Sequence, residues 1–270
     1  MRFAIFLAVL LLPFTLWAAA PGGLPDGGSG KVIAVIDGDT VRLEGIKADV
    51  CLVGIQAPKL PLGRKGFETW PLAEDAKRAL KDIVKGHTIT LRLGTTARDR
   101  NGRILAHLVR EDGVWAQEEM LRRGMARVYT FPDNRQLAAD LFAAERAARA
   151  RHAGIWANAT YALRSPDPEA LAQDAGTFQI VEGKVTDAAK VQGRIFLNFS
   201  ADYRKDFTAT IVPEAVGPFT KAGVDPLALK GKTVRVRGYL RNYNGPNMDI
   251  SHPEQIEVDD GPGLAVRPAP

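Results

Sequence analysis

Short apolar segments rich in Val, Ile and Leu dominate the first half of the chain and predict strands of a mainly β fold. Between and after them, apolar residues recur at helical spacing, which predicts helices over residues 71–86, 115–124 and 133–152. The predicted strands cover residues 31–37, 40–46, 48–55, 88–93 and 104–110. The first half is therefore expected to be α+β, with antiparallel strands leading.

The second half repeats a strand-rich pattern after a linker at residues 158–175. Five strands with a short helix between the third and the fourth are typical of an OB barrel, so we predict a second, OB-like barrel. Its predicted elements are strands at 178–186, 194–199, 207–212, 233–240 and 255–258, with the helix at 213–222.

The N-terminus carries a basic residue, a long apolar run and the segment Ala18–Ala19–Ala20, a pattern typical of a secretory signal peptide. We therefore expect an exported protein, periplasmic or secreted, with an uncleaved membrane anchor as the alternative. No other membrane contact is expected. The predicted organisation is a signal peptide at 1–20, a tether at 21–30, domains at 31–157 and 176–260 around the linker, and a disordered tail at 261–270.

Charge and composition exclude few classes of ligand or site. The formal net charge of +5 is compatible with a polyanionic partner without identifying one. A single cysteine, Cys51, excludes an intramolecular disulfide, and the four histidines have no metal-ligand spacing, which argues against zinc. We expect no small-molecule cofactor, and the sequence does not indicate an oligomeric state.

The chemically most informative stretch is the turn Asp37-Gly38-Asp39 between the first two strands. Asp-Gly is a common hairpin turn, and on its own it needs no further function. Two carboxylates two residues apart at such a turn can also begin a hard-cation site built from oxygen ligands.

Four motifs in fixed order surround this turn: VIDGDTVRL and CLVGIQAPK at 35–43 and 51–59, DRNGRILA at 99–106, and EEMLRRGMARVY at 118–129, followed by ERAAR and GIW. In order and spacing the set resembles the thermonuclease, or staphylococcal-nuclease-like, family over about residues 31–156. The resemblance implies a five-stranded OB barrel with attached helices and a calcium-dependent phosphodiesterase that cuts DNA and RNA. The second half resembles a C-terminal OB module found on some bacterial members.

The resemblance also implies residue roles. Asp39 matches a calcium ligand, Asp37 its acidic companion and Arg103 a catalytic arginine, while Glu145 and Arg122 match an ion pair between helices. The sequence departs from the family pattern at three positions. An arginine, an aspartate and the glutamate base are replaced by Cys51, Gln56 and Lys59.

These departures leave three interpretations open. In the first, the protein binds nucleic acid at a degenerate nuclease site with reduced calcium affinity. In the second, it is a nuclease whose site has been rewired. In the third, it binds an anionic envelope polymer. A carboxylate other than Asp37 near Asp39 would favour rewiring, and Lys59 paired with Asp39 would favour binding alone. The candidate catalytic residues are Arg103, Lys59 and Asp49, and the candidate metal ligands are Asp37, Asp39 and Gln56.

Nucleic acid is the expected partner, and basic residues interleaved with aromatic ones mark where it would bind. One such stretch is the loop 58–71, and another is the predicted strand at 233–240 with the residues that follow it. The candidate nucleic-acid-binding residues are Arg64, Lys65, Arg100, Arg235, Arg237, Tyr239, Arg241 and Tyr243.

Overall fold

A computed structural model describes residues 21–202 and 206–258. The predicted signal peptide and the predicted tail lie outside the described residues. None of the helices in the described part is both long and apolar enough to cross a membrane.

The described elements alternate between strands and short helices. The helices are α1 (Ala73–Val84), α2 (Ala116–Arg122), α3 (Ala138–Ala150), α4 (Pro168–Gln173) and α5 (Pro213–Lys221). The strands are β1 (Asp26–Asp37), β2 (Thr40–Leu43), β3 (Val50–Leu52), β4 (Gly54–Gln56), β5 (Thr88–Arg98), β6 (Ile104–Arg110), β7 (Arg127–Tyr129), β8 (Phe178–Lys184), β9 (Asp187–Val191), β10 (Arg194–Asn198), β11 (Thr208–Ile211), β12 (Thr233–Asn242), β13 (Pro246–Ile250) and β14 (Ile256–Val258).

The first half forms a closed barrel in the order β1-β2-β3-β6-β5, in which only the β3–β6 pair is parallel. This confirms the predicted α+β barrel. Helix α1 lies against the barrel because its apolar stripe, with Ala76, Leu80 and Ile83, is buried in the same core as the strand residues. The acidic turn joins β1 to β2, where Asp37 pairs with Thr40 as the hairpin signal predicts.

Several elements of the first half differ from the prediction. Strand β1 begins at Asp26, so half of the predicted tether is paired with β5, which itself extends to Arg98. The predicted third strand is broken at Val53, and β4 pairs instead with β7, a short strand that the sequence pattern did not reveal. Helix α3 begins five residues later than predicted. The amide of Asn134 does not cap the helix, because it bonds the backbone of Thr96 on β5 through both its oxygen and its nitrogen.

In the described second half, a seven-stranded sheet follows the order β14-β12-β13-β11-β10-β9, with β8 on β12. If β8 and β9 are counted as one strand bent at Val185–Thr186, the pairing order is that of the first barrel, including one parallel pair, β11–β13. Strand β13 was missed, and the predicted last strand is the short β14. The predicted short helix is present as α5. The domain bounds and the likeness to a C-terminal module remain predictions.

A buried ion cluster joins the two halves. Arg237 is 1% exposed and donates hydrogen bonds to both carboxylate oxygens of Glu145, at 3.1 and 2.9 Å, and to the carboxylate of Glu257. Glu145 therefore does not pair with Arg122 as the resemblance implied, and Arg122 instead pairs with Glu118 at 2.9 Å. The same cluster corrects the nucleic-acid-binding role expected for Arg237, because the first half covers its face of β12.

Candidate active site

The acidic turn is fixed by close packing beneath it. A Cβ at Gly38 would lie 2.6 Å from the Cβ of Ala57 and 2.8 Å from that of Ala76 on α1, so only glycine fits there. This packing buries both neighbouring carboxylates, which leaves Asp37 3% and Asp39 2% exposed. The backbone of Asp39 donates to Asp37 Oδ1 at 3.1 Å, and the backbone of Ala57 donates to Asp39 Oδ2 at 2.9 Å.

The side chain of Lys59 reaches over this turn. Its Nζ lies 2.5 Å from each carboxylate oxygen of Asp39 and 3.4 Å from Oδ2 of Asp37. The lysine side chain is 20% exposed, so the ion pair is partly shielded from water. An ammonium group therefore provides the positive charge between the two buried carboxylates.

The protonation behaviour of these groups follows from burial and from one another. Burial raises the pKa of Asp39 to about 6, with the Asp37 charge adding to the rise and the Lys59 ammonium opposing it. Burial also tends to raise the pKa of Asp37. The Lys59 ammonium and the hydrogen bonds from Asp39 outweigh burial and hold the pKa of Asp37 below its ordinary value. Burial disfavours charged Lys59, yet both carboxylates keep its pKa above the ordinary 10.5. Lys59 is therefore an ammonium near neutral pH and cannot act as a general base.

Cys51 and Arg103 complete the cluster. Cys51 lies opposite Thr40 on β2 and Leu105 on β6, and burial, with the charge of Asp39, raises its thiol pKa to about 12. The side chain of Arg103 is 39% exposed, and its guanidinium is held by Asp99 Oδ2, 2.7 Å from both Nε and Nη2. The thiol is neutral and the arginine is accessible, so Arg103 is the cation at this site that can meet a ligand.

Asp99 was not among the predicted site residues. Its other oxygen, Oδ1, accepts hydrogen bonds from the backbone of Asn101 and Arg103, both at 2.9 Å. The spacing of an acid four residues before Arg103, across an Asn-Gly turn, was the available signal. Asp99 therefore orients Arg103 from within one turn of chain.

The remaining candidate residues are bonded to partners outside the acidic turn. The amide oxygen of Gln56 accepts hydrogen bonds from Nε and Nη2 of Arg127, at 3.0 and 2.7 Å, so it is not available as a metal ligand. Asp49 is paired with Arg42 at 2.7 Å, so its carboxylate already has a partner outside the acidic turn. Within residues 21–202 and 206–258, no three His, Cys, Asp or Glu side chains are grouped to hold a metal. Calcium needs six to eight oxygen ligands, and this turn offers two carboxylates that are already bonded to an ammonium. These residues therefore do not fit calcium.

Arg127 was also missed, because nothing in its sequence context distinguishes it from surface arginines. It is 5% exposed, and burial lowers its pKa to about 10. Its guanidinium lies 4.4 Å from the ring centre of Phe178 on β8, so it links Gln56 to the second half of the chain.

The candidate nucleic-acid-binding residues of the first half remain at the surface. Lys65 and Arg100 are exposed. Arg64 is also exposed, but its guanidinium lies 3.6 Å from the ring centre of Phe67 and donates to the carbonyl of Leu60, so it is held in the loop. These three arginine and lysine side chains can still contribute positive potential near the barrel.

The candidates of the second half do not form one basic face. Arg235 pairs with Glu182 and Arg241 with Asp249, each at 2.5 Å. Tyr239 is 47% exposed, and its ring packs edge-on against aromatic rings from both halves of the chain. Tyr243 is 78% exposed. With Arg237 buried as well, the basic and aromatic residues predicted to bind nucleic acid here do not lie together on one open surface.

Comparison with known proteins supports the predicted resemblance of the first half to the staphylococcal-nuclease family. A sequence model described as "Staphylococcal nuclease homologue" matches residues 49–158. An uncharacterized endonuclease of Escherichia coli is 32% identical over 132 residues, which is 48% of this chain and 78% of that protein. Endonuclease YncB of Bacillus subtilis is 30% identical over 130 residues, covering 47% of this chain and 60% of its own length. The SPbeta prophage-derived endonuclease YokF of the same organism is 29% identical over 130 residues, 47% of this chain and 43% of that protein.

Proposed function

The chain belongs to the family of staphylococcal nuclease homologues, and from this premise we propose that it binds nucleic acid at a nuclease site whose hydrolytic activity is weakened or lost. The family and the relatives named endonuclease support a nuclease-like chemistry with a nucleic acid as ligand. The finer claim, loss of hydrolysis with retention of binding, is ours and rests on the side chains at the acidic turn.

The ammonium of Lys59 is the observation that carries the proposal. Calcium in proteins lies 2.3–2.6 Å from its oxygen ligands, with six to eight of them. Nζ lies 2.5 Å from both oxygens of Asp39, within that range, and neutralises the charge that would attract a divalent ion. A calcium ion would have to displace a side chain whose own charge is stabilised by two buried carboxylates.

The catalytic groups around the turn are also incomplete. Lys59 is protonated where the family pattern has a carboxylate base, and loss of a general base typically costs ~10²–10⁴-fold in rate. Cys51 is a neutral thiol where the pattern has a second arginine, and loss of a donor to the transition-state charge costs ~10²–10³-fold. Groups that act together are not additive, so the two factors are not multiplied.

Binding requires less of the site than hydrolysis does. A phosphate needs cations and hydrogen-bond donors near its oxygens, and these contacts make affinity depend on salt. Arg103 is partly exposed and oriented by Asp99, Arg100 is exposed in the same turn, and Lys65 is exposed in the loop at 58–71. We propose that these three residues contact the phosphates of a single strand, with Arg103 the central contact.

The test is fluorescence anisotropy of a labelled deoxythymidine oligonucleotide titrated with the full chain, in calcium and in chelator, at several salt concentrations. We expect the same salt-sensitive affinity with and without calcium, and Arg103→Ala should weaken it about tenfold, as expected for loss of one charged contact. Lys190→Ala is the matched control, because Lys190 is exposed on β9, outside the proposed contacts.

Two results would overturn this proposal. Binding that disappears in chelator would mean that a metal is part of the site, which is the rewired interpretation. Absence of binding to single-stranded DNA and RNA at low salt would leave the protein without its proposed ligand class.

We further propose that the protein acts outside the cytoplasm, on the strength of the apolar run and the alanines at residues 3–20. Fusing residues 1–30 to a reporter enzyme that is active only after export tests this. Reporter activity in the periplasm or medium is expected, and reporter retained in the cytoplasm would contradict it.

A further inference from the structure

An open groove of about 730 Å³ lies on the outer face of the second sheet. It crosses β9, β10, β11 and β13 and ends at the turn between β12 and β13, where Tyr243 and Asn244 lie. None of the residues of the acidic turn lines it. Its volume falls within the range of about 300–1,000 Å³ found for ligand-binding clefts.

The floor and one edge of the groove are apolar. Phe196 lies in the middle, between Ala189 on β9 and Thr210 on β11 in the strand register. At the rim Tyr243 is 78% and Val191 53% exposed. Two aromatic side chains thus line one open cleft, and each offers a ring face on which a flat ligand ring can stack.

Amide side chains provide hydrogen-bonding groups along the same groove. Asn198 Oδ1 accepts from Thr208 at 3.3 Å and Asn247 Nδ2 donates to Thr210 at 3.0 Å. Within the part of the chain that the structure describes, the nitrogen of Asn198, the oxygen of Asn247 and the whole amide of Asn244 have no side-chain partner. The groove therefore offers neutral donors and acceptors beside an aromatic platform.

The charge of the groove lining indicates which class of ligand the groove can bind. Among the described lining residues there is no lysine or arginine, and the one charged residue, Asp187, is paired with Lys230 at 2.7 Å. Nucleic acids are held largely through cations at their phosphates, and this lining has none to offer. A sugar chain without charge presents apolar ring faces and hydroxyl pairs, which match aromatic rings and amides. OB barrels use this face and the adjoining turns for oligosaccharides as well as oligonucleotides.

We propose that this groove is a binding site for an uncharged oligosaccharide, separate from the nuclease-like site. The ring of Tyr243 and that of Phe196 stack on sugar faces, and the three asparagines bond the hydroxyls. The proposal does not depend on the fate of phosphodiester hydrolysis.

The test is isothermal titration calorimetry of the full chain with two neutral probes, cellohexaose and the hexamer of N-acetylglucosamine. We expect at least one to bind with a Kd of about 1 mM or tighter. Tyr243→Ala and Asn247→Ala should each weaken binding about tenfold, and Tyr243→Phe should retain most of it because the ring is kept. Asn101→Ala is the matched control, since Asn101 is exposed in the loop beside Arg103.

The outcomes separate the ligand classes. Failure of both hexasaccharides to bind would overturn the proposal. So would binding that all four variants retain in full, because the site would then lie elsewhere. Deoxythymidine oligonucleotide binding that is lost in Tyr243→Ala but not in Arg103→Ala would identify the groove as a nucleic-acid site instead.

Discussion

Replacing Lys59 by methionine removes the positive charge from the acidic turn and keeps most of the volume. The ammonium is bonded to both oxygens of Asp39, and both carboxylate side chains are at most 4% exposed. Removing one partner of a buried ion pair typically costs about 3–5 kcal/mol, because the other charge is left buried and uncompensated. We expect a loss of this size in the free energy of unfolding of Lys59→Met near neutral pH.

The loss should shrink in acid. Burial already raises the pKa of Asp39 to about 6 with Lys59 present, and removing the opposing ammonium can only raise it further. The folded variant then binds a proton more tightly than the unfolded chain, whose aspartate has an ordinary pKa. Below neutral pH the variant should therefore regain stability relative to the natural protein. Asp39 of the natural protein also takes up a proton over this range, so from about pH 7 to about pH 5 we expect the difference in stability to shrink by about 1 kcal/mol.

Urea unfolding followed by tryptophan fluorescence, in chelator, measures these differences at both pH values. Lys65→Met is the matched control, because Lys65 is an exposed lysine of the same loop. The double variant Asp39→Asn/Lys59→Met should lose less stability than Lys59→Met alone, since one of the two uncompensated buried charges is gone. A Lys59→Met cost no larger than that of Lys65→Met, or a cost that does not change with pH, would refute the reasoning.

Three further predictions concern the scaffold. Arg237→Met should lower the free energy of unfolding by about 3–5 kcal/mol in urea, because two buried carboxylates lose the buried guanidinium between them and keep only the longer contacts with Arg149 and Arg146. Arg241→Ala, which breaks an exposed pair, should change the unfolding midpoint little, and equal effects of the two substitutions would contradict this. Gly38→Ala should cost about 1–3 kcal/mol through overpacking beneath the acidic turn, and an unchanged thermal midpoint would contradict the packing. Burial lowers the pKa of His107 from 6.5 to about 4, so the unfolded chain takes up the proton first and stability should fall by about 3 kcal/mol as pH drops through that range. His107→Phe should reduce this acid sensitivity in urea titrations while leaving the part due to His252, and an unaltered pH profile would contradict the assignment.

The barrel of the first half could be predicted because its signals are local. Alternating apolar residues mark the strands, the Asp37-Gly38 turn marks a hairpin, and the apolar stripe of α1 has one clear face. The missed strand β7 is three residues long, too short to show a period. The start of α3 was misplaced because Asn134 has a partner, the backbone of Thr96, that is distant in sequence.

The sequence could show which residues belong to the candidate site, but not which of them bond one another. The spacing of Asp37, Asp39 and Arg103 and the departures at neighbouring positions were visible in the sequence. The bond between Lys59 and the turn depends on how the chain after β4 folds back, which no local pattern encodes. For the same reason the sequence could not show that Gln56 is bonded to Arg127, 71 residues away.

The arginines of β12 show how a correct local prediction can lead to a wrong function. Alternation along the strand was predicted correctly, and it puts Arg235, Arg237 and Arg241 on the same face. A strand pattern distinguishes one face from the other but not solvent from a neighbouring domain. Contact with Glu145 of the first half turned an expected binding residue into a buried structural one.

The central claim is that an ammonium replaces the divalent cation of a nuclease site, and calcium-dependent DNA cleavage tests it most directly. The measurement compares hydrolysis of labelled single-stranded DNA by the natural chain and by the variant Cys51→Arg/Gln56→Asp/Lys59→Glu, with calcium and with chelator. The account predicts no calcium-dependent cleavage by the natural chain above that of Asp39→Asn, and a gain of calcium-dependent cleavage in the variant. Cleavage by the natural chain that stops both in chelator and in Asp39→Asn would contradict the account and establish a working, rewired nuclease.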